Sequence, residues 1–327
     1  FIFYLKYTKE NTKKFYFIAL LFFLLSLFSK AMAVSLPVIL ILTDYFKGRK
    51  INIKSLLDKI PFFLLAITFG IVAVFAQKST GAIQDYEIFT LPQRIIFAGY
   101  GFITYLIKLF LPINLCAYYP YPVKSSSAIS IQYYLYLLPL LGLISFIIYS
   151  IRFTRKIIFG FGFLGITIFL VLQLLPVGGA IMADRYSYIP SIGIFYLAGE
   201  GLYWLWNKKY KIPAIILLSL FAVFFSVRTF ARCSVWKDGK TLWDDVISQY
   251  QTIPAAYNNR GFIYYKEKKY KEALDYYNKA IDLFPKYHLA FNNRGVLMAE
   301  QKRNKEAYDD YTKAIELQPK FAEAYNN

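Results

Sequence analysis

The chain has 327 residues, 57% of them apolar and 20% aromatic, with a mean hydropathy of +0.39. That composition excludes a disordered chain and argues against an ordinary water-soluble globule, whose apolar share is about 45–50%. Lys and Arg outnumber Asp and Glu by 38 to 20, and two cysteines and one histidine are too few for a disulfide scaffold or a His/Cys metal site.

The charge is uneven. Residues 231–327 carry 16 basic and 13 acidic residues, and residues 1–230 carry 22 and 7. In the first stretch the basic residues sit in short gaps between apolar runs: Lys6 to Lys14, Lys47 to Lys59, Arg152 to Lys156 and Lys208 to Lys211. No contiguous basic face results, so nucleic acid is not predicted as a partner and a polytopic membrane protein is.

The chain opens at Phe1 with no Met or signal peptide, and Phe1–Leu5 reads as the tail of an earlier apolar segment, so a preceding part is expected. Phe15–Phe28 and Met32–Tyr45 follow, joined by Ser29-Lys30 as a tight hairpin of spans. A crossing helix needs about 20 mostly apolar residues. Ile60–Ala76, Ile131–Ile151, Ile157–Leu175, Pro190–Trp206 and Ile212–Thr229 meet or approach that length. Gln93–Leu111 is ambiguous because it carries Arg94, Lys108, Gly99 and Gly101. Residues 1–232 are thus predicted to form a bundle of about seven or eight apolar segments. The positive-inside rule puts residues 1–14, 46–59, 152–156 and 207–211 in the cytoplasm. Ser29-Lys30, loops 77–92 and 176–189, and everything after Thr229 then lie outside. This parity requires 93–111 to be re-entrant or interfacial; the alternative is that it spans and a neighbouring run does not.

Residues 233–327 carry an internal repeat. Ala256-Tyr257-Asn258-Asn259-Arg260-Gly261 recurs as Ala290-Phe291-Asn292-Asn293-Arg294-Gly295 and begins again at Ala324-Tyr325-Asn326-Asn327. Ala273/Ala307, Tyr277/Tyr311, Ala280/Ala314 and Pro285/Pro319 keep the same 34-residue register. That period, with small and aromatic residues at these places, is the tetratricopeptide repeat, here 254–287, 288–321 and a stub at 322–327. Gly239–Tyr250, with Leu242, Trp243, Val246 and Ile247 at helical spacing, is predicted to cap the stack. Asn259, Asn293 and Asn327 recur on the first helix of each repeat, the one that lines the concave face. An amide side chain both donates and accepts, so stacked asparagines suit an extended peptide backbone, with Asn258 and Asn292 as secondary candidates. The alternative is that they satisfy helix-end or inter-repeat backbone groups. The arrangement resembles the asparagine ladder of the O-GlcNAc transferase superhelix. His288 is expected to be an unremarkable surface histidine.

Met182-Ala183-Asp184-Arg185-Tyr186-Ser187-Tyr188 stands at the outer end of two long runs. The Arg185 guanidinium is a planar fork suited to a phosphate, and Tyr186 and Tyr188 suit a headgroup belt; the alternative is an interfacial anchor with Arg185 snorkelling. Lys30 is either a second cation for a lipid phosphate or an ordinary loop lysine. Residues 112–127, rich in Tyr and Pro, read as an ordered outer loop. Cys116 and Cys233 fall on the same side, either bridged or as two thiols. There is no Walker A loop, no Ser/His/Asp set and no Asn-x-Ser/Thr sequon.

Taken in order, these motifs resemble a family. Ser29-Lys30-Ala31 with Pro37 and Asp44-Tyr45, then Pro112-Ile113-Asn114-Leu115 with Tyr119-Pro120, then Asp184-Arg185-Tyr186-Ser187-Tyr188-Ile189-Pro190-Ser191-Ile192-Gly193, resemble the ordered motifs of TMTC-type proteins. These are multi-spanning, O-mannosyltransferase-like proteins with C-terminal tetratricopeptide repeats. Ala31 departs from the acidic residue the family carries there. The resemblance implies an all-α architecture, a polytopic transmembrane helix bundle of the GT-C type followed by a tetratricopeptide α-solenoid. It implies transfer of a sugar, typically mannose, from a polyprenyl- or dolichyl-phosphate donor to protein Ser/Thr. The donor-phosphate candidates are then Arg185, Lys30, Asp184, Tyr186 and Tyr188. The family's catalytic acidic residue lies in the first outer loop and is expected before Phe1, so no catalytic residue is assigned. No cofactor is implied beyond the lipid-linked sugar donor. The expected partners are the bilayer, that donor, and an acceptor or partner protein on the repeats. The expected location is a bacterial inner membrane with the repeats outside, or the endoplasmic reticulum lumen in a eukaryote. The competing function is a non-catalytic membrane-anchored scaffold.

Overall fold

The computed structural model describes residues 1–79, 89–122, 129–174 and 179–327. The fold is all-α; Tyr119–Pro120 and Ala180–Met182 are the only extended strands among these residues. Two compact units form, residues 1–113 with 122–215, and residues 114–121 with 216–327.

The first unit is built from α1 (Ile2–Glu10), α2 (Lys13–Ser29), α3 (Leu36–Phe46), α4 (Ile53–Leu57), α5 (Ile60–Ser79), α6 (Leu91–Phe110), α7 (Ile131–Leu135), α8 (Leu137–Ser150), α9 (Arg155–Ile168) and α10 (Ser191–Asn207). Polar residues in the gaps set the starts. The Asn52 side chain accepts the Ser55 N–H at α4, and the Thr154 hydroxyl accepts the Lys156 N–H at α9. Pro37 and Pro92 sit in the first turns of α3 and α6, where a missing N–H costs nothing. One core gathers Tyr4, Phe23, Leu27, Leu40 and Phe62 from α1, α2, α3 and α5; another gathers Leu109, Leu164 and Ile194 from α6, α9 and α10.

Among the described residues three helices are long and apolar enough to cross a membrane: Ile53–Gln77, Ile131–Ser150 and α11 (Lys211–Val235), which begins in the first unit and continues into the second. Leu64, Phe75, Leu138, Ile148, Leu220 and Val227 on these helices are all exposed. Helices apolar on every side and so little buried fit a lipid surrounding rather than water. The count is lower than the sequence suggests because several apolar runs form shorter helices: α2 and α10 have 17 residues each and α9 has 14. The run 157–175 ends as an α-helix at Ile168 and tightens into a 3₁₀ turn over Phe169–Val171, with Leu175 outside the described residues. The 15–45 hairpin forms from α2 and α3, linked by the 3₁₀ turn Ala31–Ser35. α6 is amphipathic, burying Phe97, Gly101, Thr104 and Tyr105 while Ile95 and Ile107 are exposed. It is not among the three long apolar helices.

The basic gaps of this unit converge on one end of the bundle. The Arg155 guanidinium lies 5.5 Å from the Tyr45 ring centre, and Phe46 stacks on Phe159 at 4.5 Å. Nearby, the Asp44 carboxylate, 3% exposed, accepts Lys59 Nζ at 2.6 Å, the Tyr4 hydroxyl at 2.9 Å and Arg49 at 3.2 Å; Arg49 also reaches Asp58 at 3.1 Å. This network ties α1, α3 and the start of α5 together. Apolar patterning does not predict it, because it depends on chain returns of up to 45 residues.

In the second unit α12 (Gly239–Gln249) is followed by the helical pairs α13 (Pro254–Lys266) with α14 (Tyr270–Leu283) and α15 (His288–Glu300) with α16 (Asn304–Leu317), then α17 (Ala322–Asn326). Asp238 caps α12 through the Thr241 N–H at 2.8 Å. Small residues let each pair close. A Cβ on Gly261 would stand 2.8 Å from the Tyr277 ring, and one on Gly295 would stand 2.7 Å from the Tyr311 ring. The turns at Lys268 and Lys302, 34 positions apart, both adopt left-handed backbone with φ near 60°. α12 packs as more than a cap: its Val246 is fully buried at the register of Ala280, so it stands where the second helix of a preceding repeat would stand. Cys116 is buried, with its Sγ 3.2 Å from the Tyr118 carbonyl oxygen; Cys233 is exposed, and both are free thiols, so the bridge left open by the sequence does not form. Of the Tyr/Pro-rich loop, residues 114–121 are ordered by the Tyr119 hydroxyl, which accepts from Cys116 N–H and donates to the Asn114 carbonyl. Residues 123–128 lie outside the described residues.

Candidate functional site

Two constellations stand out, one in each unit. In the first, residues Asp184–Ser187 form a 3₁₀ turn between the strand Ala180–Met182 and α10. The sequence does not announce what holds this turn. The Tyr105 hydroxyl, on α6, accepts the Ala183 N–H at 2.9 Å and donates to the Ala183 carbonyl at 3.1 Å, with both residues buried. A single side chain thereby fixes both backbone groups of the residue before Asp184. Ser187 closes the turn by donating to the Asp184 carbonyl at 2.7 Å. On this support Arg185 is exposed, its guanidinium 4.7 Å from the Tyr186 ring centre and its Nη2 3.2 Å from the Tyr186 hydroxyl. The ring contact and this hydrogen bond orient the planar fork.

The structure brings Arg185 and Tyr186 together but not every residue of the predicted set. Tyr188 is 81% exposed and one turn further on, as a headgroup-belt residue would be. Asp184 is half-buried at the base of the turn. Lys30, exposed, ends α2; that helix spans about 25 Å and begins where Tyr16 meets Asp58 at the basic end. Lys30 and the Arg185 turn therefore both lie away from the basic end, on separate elements.

In the second unit the asparagines form rungs between repeats. Asn293 Nδ2 donates to Asn258 Oδ1 at 3.0 Å, and Asn327 Nδ2 donates to Asn292 Oδ1 at 3.0 Å. The two sets read separately in the sequence thus act as one: the buried Asn258 and Asn292 accept, and the more exposed Asn293 and Asn327 donate. The partners are side chains of the neighbouring repeat rather than the backbone groups the alternative reading supplies. Asn259 holds the same register on the first repeat. Each donating amide keeps a second N–H and a carbonyl oxygen for a ligand. Asn292, Asn293 and Asn327, with Phe262, Tyr265 and Val296, line a cavity of about 330 Å³. In its wall the Tyr277 hydroxyl is buried with no hydrogen-bond partner among the described residues, and burial pushes its pKa up. Tyr265 is pushed up to about 12, chiefly by its hydrogen bond to Glu300 and then by desolvation, so it stays a neutral donor.

A second set at the repeat period escapes the sequence reading. Arg260, 2% exposed, bonds Asp244 at 2.6 Å and stacks on Tyr264 at 4.2 Å; Arg294, 34 residues on, grips Asp310 with two nitrogens at 2.9 and 2.7 Å and reaches Asn278 at 2.7 Å. Asp244 and Asn278 are themselves 34 apart, so each arginine ties its own repeat to the helix before it. The signal was present as the repeated Asn-Arg-Gly.

His288 is a correction: it is 8% exposed, with Phe321 edge-on at 5.0 Å, rather than a surface residue. Burial lowers its pKa, so the folded chain binds fewer protons than the unfolded chain near the ordinary value of about 6.5. The stability that neutral His288 supports is complete above that pH and is lost as pH falls towards the lowered folded value. Amide exchange across α15 in the full chain should therefore quicken, after correction for intrinsic rates, between about pH 7.5 and 5.5. The same protein with His288→Phe should show no such window.

Among the described residues no group of His, Cys, Asp and Glu is placed to hold a metal ion. Residues 254–287 match the tetratricopeptide repeat family, and residues 289–321 match it again. Three curated relatives also resemble the chain. The chain is 35% identical over 118 residues to the protein O-mannosyl-transferase Tmtc1 of Drosophila melanogaster, covering 33% of this chain and 14% of that protein. It is 31% identical over 125 residues to Tmtc2 of the same organism (36% and 13%), and 29% identical over 108 residues to TMTC3 of Homo sapiens (33% and 12%). The likeness to TMTC-type proteins read from the ordered motifs is borne out; the matches span no more than 14% of those relatives' length.

Proposed function

We propose that this chain is part of a membrane glycosyltransferase that moves a sugar, mannose, from a polyprenyl- or dolichyl-phosphate donor to protein Ser/Thr, with the repeats holding the acceptor. The relatives' named activity supports the reaction class. The observation that carries the reading is Arg185, beside the Tyr186 ring and presented by a turn that Tyr105 pins through both backbone groups of Ala183. A guanidinium held in this way takes two phosphate oxygens in parallel. Lys30 adds a point charge at that end of the bundle, Tyr186 and Tyr188 sit at headgroup depth, and Asp184 holds the base of the turn. The acceptor oxygen attacks the sugar's anomeric carbon, the bond to the phosphate oxygen breaks, and the lipid phosphate leaves as an anion that Arg185 stabilises. A carboxylate takes the hydroxyl proton; no residue of this chain is assigned to that step. The acceptor chain lies along Asn293 and Asn327, with Asn258, Asn259 and Asn292 behind or beside them. The long apolar helices cross the bilayer with the basic end in the cytoplasm and the repeats outside.

The test uses the full-length protein in sealed vesicles with labelled polyprenyl-phosphate mannose and a Ser/Thr peptide. Arg185→Ala should weaken donor use by about 10–100-fold, the worth of a hydrogen-bonded charge. Asn293→Ala with Asn327→Ala should raise the acceptor KM and leave donor binding intact. Unchanged donor binding in Arg185→Ala removes the site assignment. Peptide binding that depends on the asparagines without any transfer favours the scaffold.

A further inference from the structure

One hollow of the first unit lies apart from the Arg185 turn. It is a groove of about 1200 Å³ along α9 and α10, walled by the C-terminal end of α6 and by Phe146 of α8. Its floor and sides are apolar: Phe110, Phe161, Leu197, Ala198, Gly201 and Trp204. It runs from Ile194 to Asn207 along α10, about 20 Å at 1.5 Å per residue, against about 15 Å for one leaflet's half of the hydrocarbon core. Its polar lining is the Lys156–Glu200 pair, with Glu200 about midway along the α10 wall, and Thr154, Asn207 and Lys208 at one end, the end of the bundle that holds Arg155, Lys47 and the Asp44 network. Glu200 neutralises Lys156, the two forming a hydrogen-bonded ion pair at 2.5 Å, and so leaves Lys208 as the unbalanced charge in the lining.

We propose that this groove holds an acyl chain of an anionic glycerophospholipid, its phosphate against Lys208 with Asn207 and Thr154 as donors. An apolar slot this long, open to the side and with a single cationic end, is complementary to one chain carrying one anionic head. A zwitterionic lipid gains the same chain contacts but brings a second cation to Lys208. Since the groove's polar end and the Arg185 turn lie at opposite ends of α10, the phospholipid occupies a site separate from the sugar donor, and the inference does not depend on the glycosyltransferase reading.

Trp204 in the lining supplies a reporter. Purified full-length protein in detergent is titrated with phosphatidylglycerol and with phosphatidylcholine, both brominated on the acyl chain, and tryptophan quenching is followed. Phosphatidylglycerol should quench at lower concentration, and the component it adds should vanish in Trp204→Phe. Lys208→Gln should lose about fivefold of the preference, the worth of one basic residue near a lipid surface. Gly201→Leu should abolish the quenching by filling the slot, because nothing lies within 4 Å of a Cβ there and the fold tolerates it. Equal quenching by the two lipids overturns the anionic specificity. Undiminished quenching in Gly201→Leu overturns the groove. Displacement by polyprenyl phosphate at lower concentration than phosphatidylglycerol overturns the choice of lipid in favour of the donor.

Discussion

Asp44→Ala should lower the unfolding free energy of the first unit by about 3–5 kcal/mol, the cost of stranding a buried charge. Lys59 is 1% exposed and its ammonium has two acceptors, Asp44 at 2.6 Å and the Ser55 carbonyl at 2.7 Å. Removing the carboxylate leaves the ammonium with one neutral oxygen in a site walled by the Tyr4 ring at 5.5 Å. It also strips the Tyr4 hydroxyl of its acceptor. Removing both charges is a different matter. Asp44→Asn with Lys59→Met keeps an acceptor for Tyr4 and replaces the ammonium by an apolar chain of similar volume, so most of the loss should be recovered. Denaturant titration of the detergent-solubilised protein measures all three. A loss under about 1 kcal/mol in the single variant would place the pair in water rather than in the protein.

Gly193→Ala should split α9 from α10. The two helices cross at Gly160 and Gly193, where each backbone occupies the space a neighbouring Cβ would need: a Cβ on Gly160 would stand 2.7 Å from the Gly193 carbonyl oxygen, and one on Gly193 would collide with the Gly160 carbonyl. Backbone cannot rotate aside as a side chain does, so the cost should reach about 3 kcal/mol, the upper end for overpacking. Small residues at such crossings allow close helix contact without a hydrophobic driving force. Gly199→Ala, on the same helix with open space around its Cβ, is the control and should gain about 0.5–1 kcal/mol from backbone entropy. The Leu164–Ile194 core lies beside the crossing, so the groove and the Arg185 turn should both loosen in Gly193→Ala. Equal stability of the two variants would remove the crossing as a determinant of the fold.

The asparagines show how far a repeat can be read. The 34-residue register identified the helices, the small residues and the asparagine columns without a coordinate, because each repeat solves the same packing problem with the same residues. It did not reveal that Asn293 bonds Asn258 rather than a backbone group, nor that Arg260 and Arg294 are internal ties. Asn293–Asn258 and Arg294–Asn278 join successive repeats, and Arg260–Asp244 joins the first repeat to α12, at separations of 35 and 16 residues that only stacking brings into reach. His288 misled for the same reason: burial by Phe321, 33 positions later, is invisible to local pattern.

In the apolar half the sequence determined composition-level facts: where the greasy runs lie, where the basic gaps fall, and which motifs recur in order in a known family. These follow from the bilayer's demand for continuous apolar length and from local charge, both properties of contiguous residues. Tertiary structure alone decided that α9 stops at Ile168, that Tyr105 holds the Arg185 turn from 78 positions away, and that Asp44, Arg49 and Lys59 share one buried network. Each depends on distant side chains finding hydrogen-bond partners in a low-dielectric interior, where an unmet group is costly and only the folded geometry supplies the match.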